Sequence, residues 1–355
     1  MSIVVSRVSN AAELREFCDL PLRLHPRDRY VPTPQPVIAR WYRDGVDLYV
    51  ARDGGGVVVG RTTVHRDAAF DRKVGPRQLF GLTEFVDDPA VLEALLDTAT
   101  AAAGGRKLFG PVALLPNQTG GVITDGFAER GFIDSAWNPA WYPARYEQYG
   151  LRRRFVADTW ICDPAAPGGF TFDDSRIAVE DLVIRRGSRR RLGEQLPILR
   201  DMLNASFDQL GYYTEISAAQ LAAQTDGLAF LLDEGLLLWL EKAGKPVAFI
   251  VAMPDISEFL MRVGGKLGVA QKLRLLLTRR RYRRDAVLVI KGTVPSEQGN
   301  GYLTLLSREL HRNLRAGGYR SLRSTFVERG NHASAAQYRR MGGRPLHGYT
   351  FYESP

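Results

Sequence analysis

An internal repeat constrains the fold of this chain more than any other feature. Leu48–Gly60 alternates apolar and polar residues on either side of Gly54-Gly55-Gly56, which predicts a β-hairpin, and Leu238–Phe249 repeats the pattern around Gly244. Each hairpin follows a strand and a helix: Ile3–Val8 and Ala12–Leu24 in the first half, Leu182–Arg186 and Leu192–Phe207 in the second. Each precedes a strand, a helix closed by two glycines, and another strand. These are Gln78–Val86, Val91–Ala103 and Lys107–Gly110, then Ala286–Val294, Gly301–Arg315 and Ser321–Val327. That order predicts an α+β fold, with a mixed α/β sheet in each of two tandem domains. The run Pro164–Gly169 marks a boundary, giving domains over 1–165 and 175–355. The second half is longer between its third and fourth strands, so residues 262–284 read as an insertion.

A length of 355 residues fits two domains at roughly 150 residues each. With 45% hydrophobic and 25% charged residues, wholesale disorder is excluded. No apolar stretch reaches the ~18 residues of a membrane span, and residues 1–7 lack the apolar core of a signal peptide. Cys18 and Cys162 stand far apart, without a CxxC, as in a reducing compartment. A cytoplasmic location is expected. His25, His65, His311, His332 and His347 show no HExxH spacing, so no metal site is expected. The net charge of +9 is local: residues 185–191 hold five arginines, and residues 262–284 hold nine basic residues and no acid. Such runs are either solvated helix faces or sites for an acidic partner.

The strongest chemical signal is Val294-Pro295-Ser296-Glu297-Gln298-Gly299-Asn300-Gly301-Tyr302, followed by an apolar stripe at Leu303, Leu306 and Leu310. A strand ends, a glycine-rich turn follows, and a helix begins. Glycines let backbone approach a ligand closely, and helix-start N–H groups favour phosphate. Farther on come Tyr319–Asn331, Ser334–Arg344 with Tyr338 and Gly342-Gly343, and a closing strand Tyr349–Glu353. This succession resembles the second half of an acetyltransferase domain of the GCN5-related (GNAT) superfamily. The likeness covers residues 175–355 well and 1–162 at domain level, so the chain resembles a tandem GNAT-fold protein. Leu108–Pro111, Asn117–Phe127, Trp137–Tyr142 and Met341–Arg344 are similar to stretches of bacterial two-GNAT-domain proteins.

The resemblance implies an enzyme that binds acetyl-CoA or another acyl-CoA. Gln298, Gly299, Asn300, Gly301 and Tyr302 would cradle its pyrophosphate, with Val294 opening the loop, and Asn331 would bond the pantetheine arm. Tyr338 falls where many members hold a tyrosine that protonates the leaving thiolate. The sequence departs from the family at Ser296, which stands at a Gln/Arg position, and at Pro295, which removes an N–H. The first domain has Phe85-Val86-Asp87-Asp88-Pro89 where a phosphate loop belongs. Two aspartates repel a pyrophosphate, so this copy reads as degenerate.

An acceptor must lose a proton as it attacks, and Glu328, at the end of the fifth strand of the second domain, is the candidate base. Glu84, on the corresponding fourth strand of the first domain, is a second candidate for acid–base work or a structural ion-pair residue. Lys291 and Thr293 alternate on the fourth strand of the second domain, and Tyr212 and Tyr213 follow its first helix. His65 reads as exposed at a hairpin end, and His332 as a helix-start residue. Trp137, Trp141, Tyr142, Tyr146 and Tyr149 read either as a packed seam or as the wall of an acceptor pocket.

Residues 262–284 end in Arg279, Arg280, Arg281, Tyr282, Arg283 and Arg284. They read as a packed amphipathic face, as a CoA-phosphate contact, or as a grip on an RNA backbone. The expected activity is transfer of an acyl group from CoA to an amine or hydroxyl of a small-molecule acceptor, by direct attack without metal. Similarity to tandem GNAT-fold aminoacyltransferases implies aminoacyl-tRNA as an alternative donor, and a non-catalytic scaffold is a further alternative.

Overall fold

A computed structural model describes residues 2–113, 120–208, 211, 213–225 and 229–355. The chain divides into two compact units. Unit one comprises Met1–Ala157, Ile256–Arg274 and His347–Pro355; unit two comprises Asp158–Asp255 and Leu275–Leu346.

In chain order the first elements are β1 (Val4–Arg7), α1 (Ala11–Leu24), α2 (Gln35–Arg43), β2 (Asp47–Arg52), β3 (Val58–His65), α3 (Ala68–Val74), β4 (Arg77–Phe85), α4 (Pro89–Ala103), β5 (Lys107–Gly110), β6 (Val122–Asp125), α5 (Tyr142–Gln148) and β7 (Arg152–Cys162). The unit-one sheet runs β1-β2-β3-β4-β5, antiparallel except for β4 with β5. That parallel pair spans Arg77↔Lys107 to Leu79↔Phe109. β5 then ends at Gly110, while β4 continues to Phe85. The register of β4 against β3 shifts between Arg61 and Thr63, and Leu82 takes φ 46, so β4 bulges where the two strands part. Gly81 is required there, because a Cβ would lie 1.5 Å from the Val112 carbonyl oxygen. Val91, Leu92, Leu95, Leu96 and Ala99 form one helical face of α4 and bury against the sheet together with Phe80 and Phe85.

The elements that follow are α6 (Ser175–Val179), β8 (Leu182–Arg186), α7 (Leu192–Phe207), α8 (Ala218–Thr225), β9 (Leu237–Lys242), β10 (Lys245–Pro254), α9 (Ser257–Arg262), α10 (Val269–Thr278), β11 (Asp285–Thr293), α11 (Tyr302–Ala316), β12 (Ser321–Ser324), β13 (Val327–Glu328), α12 (His332–Arg340) and β14 (Arg344–Glu353). The unit-two sheet repeats the plan, in the order β8-β9-β10-β11-β12. β11 and β12 pair in parallel from Asp285↔Ser321 to Leu288↔Ser324. β11 also bulges: its register against β10 shifts after Ile290, leaving Val289 as the extra residue. Leu305, Leu306, Leu310 and Leu314 of α11 cover this sheet.

Each sheet is completed by a strand from the other half of the sequence. β12 pairs with the end of β7 at Leu322↔Cys162 and Arg323↔Ile161. β5 pairs with the end of β14 at Tyr352↔Gly110 and Glu353↔Phe109. The closing strand, expected with residues 175–355, thus pairs in unit one. An antiparallel edge strand carries the same local pattern whichever of two similar sheets it completes. The segment 262–284 is likewise divided, its first part belonging to unit one. There, the Gln35 amide donates to the Gly265 carbonyl at 2.9 Å, and the Ile133 amide donates to Ser257 Oγ at 2.7 Å.

Candidate functional site

In unit two, β11 leads through a short turn, Pro295–Glu297, into the glycine loop. Gly299 and Gly301 take φ 87 and 80, a region that L-residues avoid. Gly301 occupies the N-cap of α11, and no side chain caps that helix. A Cβ at Gly299 would meet nothing within 4 Å; one at Gly301 would lie 3.7 Å from the Phe172 ring. Two cations flank the loop. Lys242 Nζ lies 3.0 Å from Glu297 Oε2, which also accepts from Asn300 Nδ2 at 2.9 Å. Arg176 donates to the Asn300 carbonyl at 3.0 Å and to Glu180, which also accepts from the Tyr302 hydroxyl. Partly exposed ion pairs of this kind are worth little and exchange readily.

Beyond Leu288 the strands β11 and β12 part, and Lys291 stands on the free portion of β11. Its Nζ lies 3.8 Å from the centroid of the Tyr338 ring and donates to Gln337 Oε1 at 2.8 Å. Burial lowers the Lys291 ammonium to about 7. Burial also raises the Tyr338 hydroxyl and pushes the Cys162 thiol up to about 12. The Tyr338 ring stacks on Trp160 with centroids 5.9 Å apart. Glu328 is half-buried on β13, and Asn331 caps α12, its Oδ1 accepting from the Ser334 amide at 3.0 Å. Val294 extends the ladder, its amide donating to the Val247 carbonyl at 2.9 Å. The structure thus gathers Gln298–Tyr302 around one loop and sets Tyr338 against Lys291.

Lys291 makes stability depend on pH. Its folded pKa of about 7 lies below the ~10.4 of a free lysine, so the unfolded chain binds more protons between these values. Its contribution therefore worsens as pH falls from 10 toward 7. Lys291→Met is expected to stabilise the protein by roughly 2 kcal/mol at pH 7, after loss of the Gln337 hydrogen bond. The gain should shrink toward pH 10. Denaturant unfolding at pH 7 and 9.5 checks this, and a gain independent of pH would contradict it.

In unit one the corresponding helix start is filled by the chain itself. Asp88 caps α4, its Oδ1 accepting from the Ala90 amide at 2.9 Å, and Asp87 pairs with Arg145 at 2.7 Å. Beside the parted strands lies a partly open cavity of about 70 Å³, whose lining includes Tyr30, Leu82, Thr83, Glu84, Val112 and Trp137. Glu84 Oε2 lies 2.5 Å from His25 Nε2 and accepts from the Tyr142 hydroxyl at 3.1 Å. Glu84 Oε1 meets the Tyr30 hydroxyl at 3.4 Å and Arg61 at 4.0 Å. Burial raises the Glu84 carboxyl, but His25, Arg61 and Tyr142 more than offset it and hold the group below its ordinary range.

Glu84 is therefore ion-paired, as its strand position suggested. His25, Tyr30 and Arg61 had no signal of their own: a histidine just past a helix, a loop tyrosine and a strand arginine converge only in three dimensions. Tyr142 and Tyr146 pack inside the unit-one core, Trp141 and Tyr149 pack against it, and Trp137 lines the cavity. His65 is half-buried at the end of β3, and His332 is exposed at the start of α12. Asn117 and Tyr212 lie outside the described residues.

Among solved structures, the chain is similar to the GCN5-related glucosamine N-acetyltransferase region of a fungal multi-domain β-N-acetylglucosaminidase, with TM-score 0.59 and 15% identity. The match covers 99% of this chain and 38% of that one. A tandem GNAT protein from the clavulanic acid biosynthesis pathway matches over 99% of this chain and 98% of its own length, with TM-score 0.55 and 15% identity. This is a tandem GNAT-fold protein. No family model matches the chain. Two curated proteins are similar to this GNAT-fold chain in sequence. Protein YghO of Escherichia coli is 27% identical over 73% of this chain and 70% of its own length. A bacterial ceramide synthase of Caulobacter vibrioides is 24% identical over 98% of this chain and 96% of its own.

Proposed function

We propose that this GNAT-fold chain is an acyltransferase that moves an acyl group from a CoA thioester to the amine of a long-chain amino alcohol. The observation that carries the donor is the uncapped start of α11. Its two positive-φ glycines leave room for phosphate oxygens, and Lys242 and Arg176 stand beside it. The acceptor class is supported by similarity along nearly the whole length to a protein named for making ceramide, an N-acylated long-chain amino alcohol.

In the transfer, the amine nitrogen attacks the thioester carbonyl carbon. A C–N bond forms, the C–S bond breaks, the nitrogen loses a proton and the departing thiolate gains one. In this reading Tyr338 supplies the thiolate proton and Glu328 takes the proton from nitrogen. Lys291, its ammonium lowered by burial, lies over the Tyr338 ring in the same slot. The parted strands β11 and β12 hold the pantetheine arm near Val289, whose bulge frees backbone to meet the developing oxyanion.

The test is a calorimetric titration with acetyl-CoA and palmitoyl-CoA at moderate salt, followed by mass spectrometry of products formed with sphinganine. Saturable one-site binding and an N-acyl product are expected. Absence of binding to both thioesters would refute the reading.

A further inference from the structure

We propose that the unit-one cavity binds a primary ammonium group, with Glu84 Oε1 as its acceptor, and takes an amine in preference to the matching alcohol. A carboxylate has about four lone-pair directions. Oε2 of Glu84 is engaged by His25 and Tyr142, whereas the contacts of Oε1 to Tyr30 and Arg61 are long and leave room for another donor. Arg61 is only partly committed to Glu84: it donates to the Phe17 carbonyl at 2.8 Å and lies 4.9 Å over the Phe17 ring.

His25 and Arg61 already offset the charge of Glu84, so what the carboxylate offers a ligand is the open acceptor direction on Oε1. A primary ammonium supplies three donors and a charge, while a hydroxyl supplies one donor and none. Tyr30 and Trp137 line the cavity, and aromatic rings attract cations. The volume of about 70 Å³ admits a head group and its first methylenes, since one water needs only ~10–15 Å³ on this measure.

The test is calorimetry on the whole protein, without CoA, using hexylamine and hexan-1-ol as probes. Hexylamine should bind at least tenfold more tightly, and Glu84→Gln should erase that preference. If Glu84→Gln does not fold, Ala113→Leu, which fills the cavity from its lining, should abolish hexylamine binding instead. Equal affinity for the two probes, or hexylamine binding unchanged in the variant that folds, would overturn the assignment. Acetyl-CoA binding, titrated separately, should be the same in both variants, so a failed donor site is distinguished from a failed amine site.

Helix α10 supports a second, independent inference: we infer that it rests on an anionic lipid surface. Val269, Leu273, Leu276 and Leu277 are 87, 56, 39 and 77% exposed. At about 100° per residue they fall within one third of the helix circumference, while the buried Leu275 faces the other way. Lys272 and Arg274 flank this stripe, Arg279–Arg281, Arg283 and Arg284 follow it, and residues 262–284 contain no acid. An exposed aliphatic stripe with basic flanks is the signature of a helix lying in a bilayer interface. An RNA backbone engages the arginines and has no use for four aliphatic side chains.

Co-sedimentation with phosphatidylglycerol–phosphatidylcholine vesicles tests this. Wild type should bind, pure phosphatidylcholine vesicles should bind at least tenfold less, and Leu273→Asp with Leu277→Asp should reduce binding to the anionic vesicles about tenfold. Vesicle binding that ignores the two aspartates, or tRNA binding tighter than vesicle binding in a gel shift at the same salt, would overturn it.

Discussion

Deleting His347–Pro355 is expected to unfold unit one, although these residues lie more than 230 positions beyond β5, the strand they complete. The deletion removes the end of β14, which pairs with β5 through Tyr352 and Glu353 and with β6 through Gly348, Tyr349 and Thr350. It also removes three buried aromatics, Tyr349, Phe351 and Tyr352. The Tyr352 ring stacks on Tyr146 with centroids 4.9 Å apart, the Phe351 ring on Phe109 at 5.7 Å. The ion pair of Glu353 with Arg77 at 2.6 Å is lost as well. Each buried aromatic is worth about 3–5 kcal/mol when truncated, and a domain holds only about 5–15 kcal/mol of net stability. Limited proteolysis should then cut preferentially within residues 1–157, and circular dichroism should lose a cooperative transition. A truncated chain that melts cooperatively within ~5 °C of wild type would show that β14 does not complete this sheet.

Replacing Gly301 by glutamate should reduce acyl transfer at least 100-fold while leaving the chain folded. The substitution acts in three ways. It puts a side chain at φ 80, with a strain of roughly 1–3 kcal/mol. It sets a Cβ against the Phe172 ring. It places a carboxylate at the helix start, where a diphosphate would need the amides and the dipole. Gly301→Ala carries the strain without the charge, so comparing the two isolates electrostatics. Alanine is expected to weaken acetyl-CoA binding severalfold and glutamate to abolish it, with melting temperatures similar to each other. Equal turnover in glutamate and wild-type enzyme would remove the loop from the donor site.

The repeat made most elements legible, because hairpins, glycine-closed helices and short apolar strands are set by local pattern. β5 falls on its expected residues Lys107–Gly110, and β4, β11, α4 and α11 shift by one or two positions. The partner of a strand was not legible. β7 and β14 have ordinary alternating sequences, and only long-range pairing decides which sheet each completes. The glycine loop was visible because a phosphate site has a compact sequence form. The cavity around Glu84 was not, since it draws on Tyr30, Leu82, Val112 and Trp137, far apart in sequence, and on a bulge no composition reveals. Asp87 and Asp88 stood out in the sequence as two acids before a helix; the structure adds that Asp88 caps α4.

That cap sets the two copies on different evolutionary courses. A side-chain cap is worth about 1 kcal/mol to a helix, and α4 has one where α11 has none. After a duplication, one copy can trade its ligand for stability only while the other keeps the exposed amides. Random mutation should therefore be tolerated unequally: a side chain entering at position 301 meets φ 80 and, in the proposed reading, loses the donor, whereas position 88 holds the residue whose side chain caps its helix. Mutational scanning of the two helix starts would show this asymmetry as loss of activity at position 301 and loss of abundance at position 88.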